Sequence, residues 1–163
     1  MIEIKAATTN SEFKIIEDLA HQIWHQHYPD IIGIAQVEYM LNKYNSAKAI
    51  TADVKTGTQF YYLTFDEIPV GYTAIKAEND ILFLSKLYVS QAFRGKGIGK
   101  CALNFIDEEA KKQQLSAIRL KVNKYNTASI SAYEKLGFKT IKASVTDIGN
   151  GFIMDDFDME KSL

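Results

Sequence analysis

The chain of 163 residues has a single cysteine, Cys101, which excludes an internal disulfide and a multi-thiolate zinc site and suits a reducing compartment, the cytoplasm. Prolines number two, Pro29 and Pro69, and with no Ser/Gly-rich stretch nothing marks an interdomain linker. No apolar run approaches the roughly 18 residues that cross a bilayer. Met1-Ile2-Glu3-Ile4 carries an acid where a signal peptide is basic, so neither a membrane nor an export segment is expected. Charge of one sign is lacking too: 19 Lys+Arg stand against 20 Asp+Glu, a net charge of -1. A phosphate backbone finds no general positive field here, which excludes nucleic acid as an expected partner. What is present, 47% apolar and 24% charged residues, is globular usage rather than that of a disordered chain. The length predicts one domain over residues 1–163.

Two hydrophobic periods divide the chain. Ile2 and Ile4 alternate as a first strand, and Thr9-Asn10-Ser11-Glu12 has the spacing of a capping box. Phe13, Ile16, Leu19, Ala20 and Ile23 then recur at threes and fours, predicting a helix from residue 10 to about 25. A loop is predicted at Tyr28-Pro29, a second helix through Ile34, Val37, Met40, Leu41 and Tyr44, and a short helix or loop over residues 46 to 56. The period changes to two from Thr58 to Phe65, and Asp66-Glu67-Ile68-Pro69 turns that strand into Val70 to Lys76. Asn79-Asp80 makes a further turn before a long apolar strand, Ile81 to Val89. A helix over residues 97 to 114 and a strand at Ile118–Asn123 complete a βαβ unit with parallel pairing. Ser129 to Leu136 reads as a helix closed by Gly137, and Phe138 to Val145 and Phe152 to Glu160 as a last antiparallel pair around Gly149-Asn150-Gly151. The expected class is α+β, with a mixed, mostly antiparallel sheet of about seven strands and helices on both faces.

Three of the nine glycines fall in Arg94-Gly95-Lys96-Gly97-Ile98-Gly99-Lys100, between a buried strand and a helix. Without Cβ atoms the main chain there can turn several N–H groups toward one point, and a helix N-terminus adds about half a positive charge. Arg94, Lys96 and Lys100 add more, which is what a diphosphate requires; a tight surface turn with a solvated basic rim is the plainer reading. A Walker loop fails, because its first glycine falls on Arg94 and its final hydroxyl on Cys101. Gly97-x-Gly99-x-x-Ala102 fits the dinucleotide fingerprint formally, yet Val122-Asn123 stands where an acid is needed, and several strands precede the loop.

Downstream, Asn126-x-x-Ser129-x-x-x-Tyr133-x-x-x-Gly137-Phe138 spans one short helix. Asn126 falls at or near its N-cap, and Ser129 and Tyr133, four apart, share a face. Read alone, Tyr133 is a core aromatic with a satisfied hydroxyl.

Taken together, Leu87-Tyr88-Val89, then Arg94-x-x-Gly97-x-Gly99, then the Asn126-to-Phe138 pattern, resemble the GNAT family of N-acetyltransferases. The order β-α-α-β-β-β-α-β-α-β-β is similar to that fold over nearly the whole chain. The resemblance implies acetyl-CoA as co-substrate, bound where strands 4 and 5 splay apart. It implies that Leu87, Tyr88 and Val89 pair with the pantetheine arm as an added strand does. It further implies that Arg94, Gly95, Lys96, Gly97, Ile98, Gly99 and Lys100 hold the pyrophosphate, that Asn126 and Ser129 line the cofactor path, and that Lys135 reaches a nucleotide phosphate. The implied chemistry is attack of a neutral amine on the thioester in a ternary complex. A main-chain N–H at Val89 stabilises the oxyanion, a role worth about 3 kcal/mol per donor elsewhere. Tyr133 acts as general acid toward the departing sulfur, since a phenol near pKa 10 stays protonated where a thiol near 8.5 leaves. Where relatives carry a glutamate on the fourth strand, Phe83-Leu84 stands, and the general base is unassigned.

The resemblance directs the search for the acceptor side to the first helices and the last strands. His21 and His25 are i, i+4, but Gln22 replaces the glutamate of a zinc-hydrolase motif, and no metal is expected. His25, His27 and Tyr28 are candidate lining residues, with surface or capping roles for the histidines as the alternative. Phe152 and Met154 alternate in one phase and Phe157 and Met159 in the other. This predicts a bulge at Asp155-Asp156 that aims one carboxylate at a cationic amine; protection of a sheet edge is the competing account. Residues from His27 through Ile34-Ala35-Gln36 to Tyr39-Met40-Leu41 also resemble bacterial polyamine acetyltransferases, which implies a small primary amine as acceptor. Members of the family are often homodimers. An idle acyl-CoA-binding module and a pure interaction domain are the rival readings.

Overall fold

The computed structural model describes residues 1–163. Seven strands pair into one mixed sheet in the order β1-β2-β3-β4-β5-β7-β6. They are β1 (Ile2–Ala7), β2 (Gln59–Phe65), β3 (Ile68–Glu78), β4 (Ile81–Val89), β5 (Ala117–Asn123), β6 (Lys139–Gly149) and β7 (Phe152–Ser162). The helices are α1 (Asn10–His27), α2 (Pro29–Ile32), α3 (Ile34–Tyr44), α4 (Ala47–Lys55), α5 (Ile98–Lys112) and α6 (Thr127–Lys135), with a 3-10 turn at Gln91–Phe93. No helix is long and apolar enough to cross a membrane. The chain divides into two compact units, residues Met1–Lys76 with Ser85–Ile106, and Ala77–Leu84 with Asp107–Leu163.

In the first unit, α1 starts where the sequence predicts. Glu12 N–H donates to Thr9 Oγ1 at 3.3 Å and Thr9 N–H to Glu12 Oε1 at 3.0 Å, closing the capping box. Its stripe, Phe13, Ile16, Leu19, Ala20, Ile23 and Trp24, is buried against Val37 and Leu41 of α3, Ile50 of α4 and Phe60, Tyr72 and Ala74 of the strands. On the other face Leu63 and Val70 pack with Ile98 and Ala102 of α5 and with Leu87 and Val89. Each large apolar side chain so enclosed contributes about 1.5–3 kcal/mol. A polar chain runs through the first cluster: Trp24 Nε1–H donates to Tyr72 Oη at 3.0 Å, and Tyr72 O–H donates to Asn45 Oδ1 at 2.9 Å. Burial pushes the Tyr72 phenol well above its ordinary pKa.

Two local expectations are corrected, and the short helix or loop expected over residues 46 to 56 resolves as a helix. The residues after Tyr28 form the short helix α2, with Pro29 at its first turn, where a missing N–H costs nothing. The β2–β3 turn is only Asp66-Glu67, both with positive φ, so Pro69 belongs to β3, opposite Thr64 at a register irregularity that tolerates a missing donor. Residues Ala47–Lys55 are helical, capped by Ser46, whose Oγ accepts from Ala49 N–H at 3.1 Å.

In the second unit, β4 and β5 pair in parallel from Ile81–Ala117 to Leu84–Leu120. Antiparallel ladders join β5 to β7 and β7 to β6. The bulge expected at Asp155-Asp156 is absent. β7 runs in unbroken register there, with Asp156 between Asn123 and Ser144, and the irregularities lie in β6 at Thr140/Lys142 and Asp147/Gly149. The strand at the edge is β6, so the acid pair does not guard one. Apolar residues exchange phase along β7 because its polar face is buried too: Asp156 and Asp158 are 6% and 3% exposed.

Candidate functional site

Within the first unit, β4 ends at Val89 and passes through Gln91–Phe93 into the glycine loop and α5. Ser90 N–H donates to Val70 O at 2.7 Å, fixing the end of β4 to β3. The two strands approach closely here: a Cβ on Gly71 would lie 2.5 Å from Tyr88 O and 3.3 Å from Val89 Cα. The strand that carries Leu87, Tyr88 and Val89 is thus seated by a residue with no side chain.

The loop is built as its glycines suggest. Gly95 and Gly97 have φ of 78° and 80°, a conformation other residues enter at about 1–2 kcal/mol. Cys101 N–H reaches Gly97 O at 3.0 Å, so α5 begins at the loop, and the N–H groups of its first turn have no partner within the helix. Nothing lies within 4 Å of a Cβ placed on Gly95, Gly97 or Gly99. Arg94, Lys96 and Lys100 are exposed around this cradle while Ile98 is buried beneath it. Open main-chain donors, a fifteen-residue helix aimed by its N-terminus and three cations fit a diphosphate. Arg94 also ties the loop to the strand end, its Nε donating to Val89 O at 3.2 Å.

Of the residues proposed to line the acceptor side, Tyr28 meets the same strand. Its ring lies tilted against Trp24 at 4.6 Å and stands edge-on to Tyr88 at 6.2 Å, while Tyr88 contacts Trp24 and Tyr72 at 5.4 and 5.2 Å. His27 packs edge-on against Tyr28. His25 faces elsewhere. Its Nε2 is bonded to Glu38 of α3 and its Nδ1 lies 2.6 Å from His21 O, contacts that raise its pKa and make it a pin between helices. No group of three or more His, Cys, Asp or Glu residues converges in a metal-holding arrangement.

The second unit gathers the remaining candidates. Asn126, 4% exposed, opens α6: its N–H donates to Asn123 O and its carbonyl accepts from Ile130, but its side chain does not cap the helix. Ser129 and Tyr133 follow on one face of α6, and Lys135 stands at its last turn. Tyr133 meets Phe138 edge-on at 5.5 Å, held by Phe138 N–H donating to Tyr133 O. Asp155 is paired with Lys124 at 2.8 Å, and Asp156 lies one residue on, on the opposite face.

Two features escape the sequence reading. Arg119 and Lys121 of β5 pair across the ladder with Glu160 and Asp158 of β7; matching period-two charges on two non-adjacent segments are the available signal. Lys86 of β4 lies over the Phe60 ring at 5.6 Å, and burial lowers its pKa against the pull of Asp53. A lone cation in an apolar strand gives no cue to that.

Comparison with known proteins agrees with this arrangement. Residues 17–138 match the profile described as Acetyltransferase (GNAT) family. The chain is 28% identical over 159 residues to spermidine N(1)-acetyltransferase of Thermoplasma acidophilum, covering 94% of this chain and 96% of that one. Among solved structures it resembles PaiA N-acetyltransferase from Thermoplasma acidophilum in complex with coenzyme A (TM-score 0.82, 23% identity, 100% and 99% of the two chains). It also resembles the ribosomal-protein-S18-alanine N-acetyltransferase of Escherichia coli (TM-score 0.75, 17% identity, 99% and 94%). With a matching profile across most of its length and the fold of those acetyltransferases, the chain belongs to the GNAT acetyltransferase family.

Proposed function

We propose that residues 1–163 act as one acetyl-CoA-dependent N-acetyltransferase domain whose acceptor is a small primary amine of the polyamine type. The observation that carries this is the open cradle of Gly95, Gly97 and Gly99 at the start of α5, ringed by Arg94, Lys96 and Lys100. Acetyl-CoA supplies an activated thioester. The chain's own part is to bind and orient: main-chain donors and cations take the diphosphate, the edge of Leu87–Val89 takes the amide-bearing arm, and Asn126, Ser129 and Lys135 complete the cofactor path. The Val89 N–H is assigned to the oxygen that gains charge during transfer, and the Tyr133 hydroxyl to the leaving sulfur. The polyamine-type acceptor is supported by the spermidine-acetylating relative. A protein acceptor, such as the ribosomal-protein alanine in the name of the Escherichia coli enzyme, rests on fold likeness alone. Cytoplasmic residence suits the one free thiol, Cys101.

Calorimetry with acetyl-CoA tests the cofactor, and absence of saturable binding at millimolar concentration refutes the proposal. Coenzyme A release over a panel of polyamines, amino acids, aminoglycosides and peptides tests the acceptor; preference for a peptide overturns the polyamine assignment. Tyr133→Phe separates a transferase from an idle binding module. A kcat lowered ten- to a hundredfold with unchanged cofactor affinity supports the acid role, and an unchanged rate removes it. Light scattering tests the homodimer, for which the outer edge of β6, with Ile141 and Val145 exposed, is the candidate surface.

A further inference from the structure

Three aspartates lie close together on β7, and two of them are neutralised. Asp158 takes Lys121 Nζ at 3.2 and 3.3 Å, Ser144 O–H at 2.9 Å and Lys142 at 3.7 Å. Asp155 takes Lys124 at 2.8 Å. Asp156 is 6% exposed and has no ion pair or hydrogen bond of its own. It stands in the ladder between Asn123 of β5 and Ser144 of β6, on the face that carries Lys121 and Asp158. A carboxylate removed from water without a partner is costly, and its cost falls when a cation arrives. We infer that Asp156 is the docking carboxylate for the non-reacting ammonium of a di- or polyamine acceptor. This rests on the amine-acetyltransferase reading above and specifies its substrate.

Magnitude decides between this role and that of the unassigned general base. Burial raises the Asp156 carboxyl to about 6, with Asp158 and Asp155 acting in the same direction and Lys121 and Lys124 against it. An aliphatic ammonium titrates near 10, so proton transfer between the two lies about four powers of ten toward carboxylate and ammonium. Asp156 therefore holds an ammonium far better than it deprotonates one. An amine so held is protonated and cannot attack, which leaves the reacting nitrogen at the other end of the molecule. The acceptor must carry at least two amino groups.

The test compares 1,4-diaminobutane with butylamine, equal in chain length and unequal in charge, using the full chain and acetyl-CoA. Asp156→Asn should raise KM for the diamine at least tenfold, leave kcat within about threefold and leave butylamine unaffected. In the wild type the diamine KM should rise as pH falls below 6 and lose that dependence in the variant. An equal loss for both amines, or a fall in kcat at constant KM, overturns the assignment in favour of a structural or a base role. If no amine releases coenzyme A, the transferase reading fails by itself. Calorimetry of 1,4-diaminobutane then judges Asp156: binding abolished by Asp156→Asn upholds it, and binding that is absent or unchanged overturns it.

Discussion

Replacing Gly71 with alanine probes whether the end of β4 is held by β3 at the spacing a cofactor needs. The new Cβ would sit 2.5 Å from Tyr88 O, with Leu63 Cδ1 at 3.2 Å and Val89 Cα at 3.3 Å. Two of these neighbours are main chain and cannot rotate away, so the strands must separate by about 0.9 Å to bring the 2.5 Å approach to an ordinary 3.4 Å contact. Overpacking of this kind costs about 1–3 kcal/mol, and the reduced freedom of the unfolded chain returns about 0.4–1 kcal/mol. A net loss of about 1–2 kcal/mol lowers Tm by about 2–8 °C in a chain of this size. The displaced atoms belong to Tyr88 and Val89, so the acetyl-CoA Kd should rise severalfold. Gly33→Ala is the control, since a Cβ on Gly33 meets nothing within 4 Å but must hold a φ of 83°; it should lower Tm by a comparable amount through backbone strain alone and leave Kd unchanged. A melting curve and a calorimetric titration on each variant suffice. Unchanged Tm would refute the packing argument, and a lowered Tm with wild-type Kd would refute the link between this seat and the cofactor.

The buried polar chain gives a second test: Tyr72→Phe strands the Trp24 N–H and the Asn45 carbonyl, and at about 1–3 kcal/mol for each unsatisfied group chemical denaturation should show a loss of about 2–4 kcal/mol. Gly97→Ala and Gly99→Ala should diverge. The former must hold a left-handed φ and lose about 1–2 kcal/mol, whereas Gly99 has no such φ and an alanine there gains up to about 1 kcal/mol of helix preference; equal Tm values would contradict this. For Asp156 the sign follows from a pKa raised from 3.8 to about 6. The native state keeps its proton longer than the unfolded chain, so stability is lost as pH rises through 4 to 6 and stays lost above. Asp156→Asn should therefore melt close to wild type at pH 4 and higher at pH 7.5, by up to about 3 kcal/mol at 1.36 kcal/mol per unit, and a variant less stable at pH 7.5 would refute the unpaired state of this carboxylate.

Period and punctuation make much of this fold legible. The stripe from Phe13 to Ile23, the Thr9 capping box, the Ile81–Val89 strand and the left-handed glycines of the loop are local devices, and local devices leave marks in sequence. The misreadings share another cause. Asp66 and Glu67 adopt positive φ that neither residue advertises, so periodicity alone places Pro69 in the turn. The phase change in β7 reads as a bulge because hydrophobic alternation treats Asp156 and Asp158 as solvent-facing, while Lys121 and Lys142 let Asp158 go inside. Ion pairs between distant strands leave no periodic trace in either segment alone. His25 is legible as a titratable group on α1, but its partner Glu38 lies thirteen residues on and is found only once the α1–α3 packing is known.

A guanidinium has several nitrogens to offer, and Arg94 gives only Nε to the carbonyl of Val89, which leaves the outer pair for another partner. On the proposed reading of the site, one side chain would span the anchor of the cofactor and the place of its reactive end. A short acyl thioester lacking the nucleotide and diphosphate would then leave that brace half engaged, and tail and head would contribute jointly rather than in sum. Lysine, with one nitrogen on a flexible stem, keeps the charge but loses the brace.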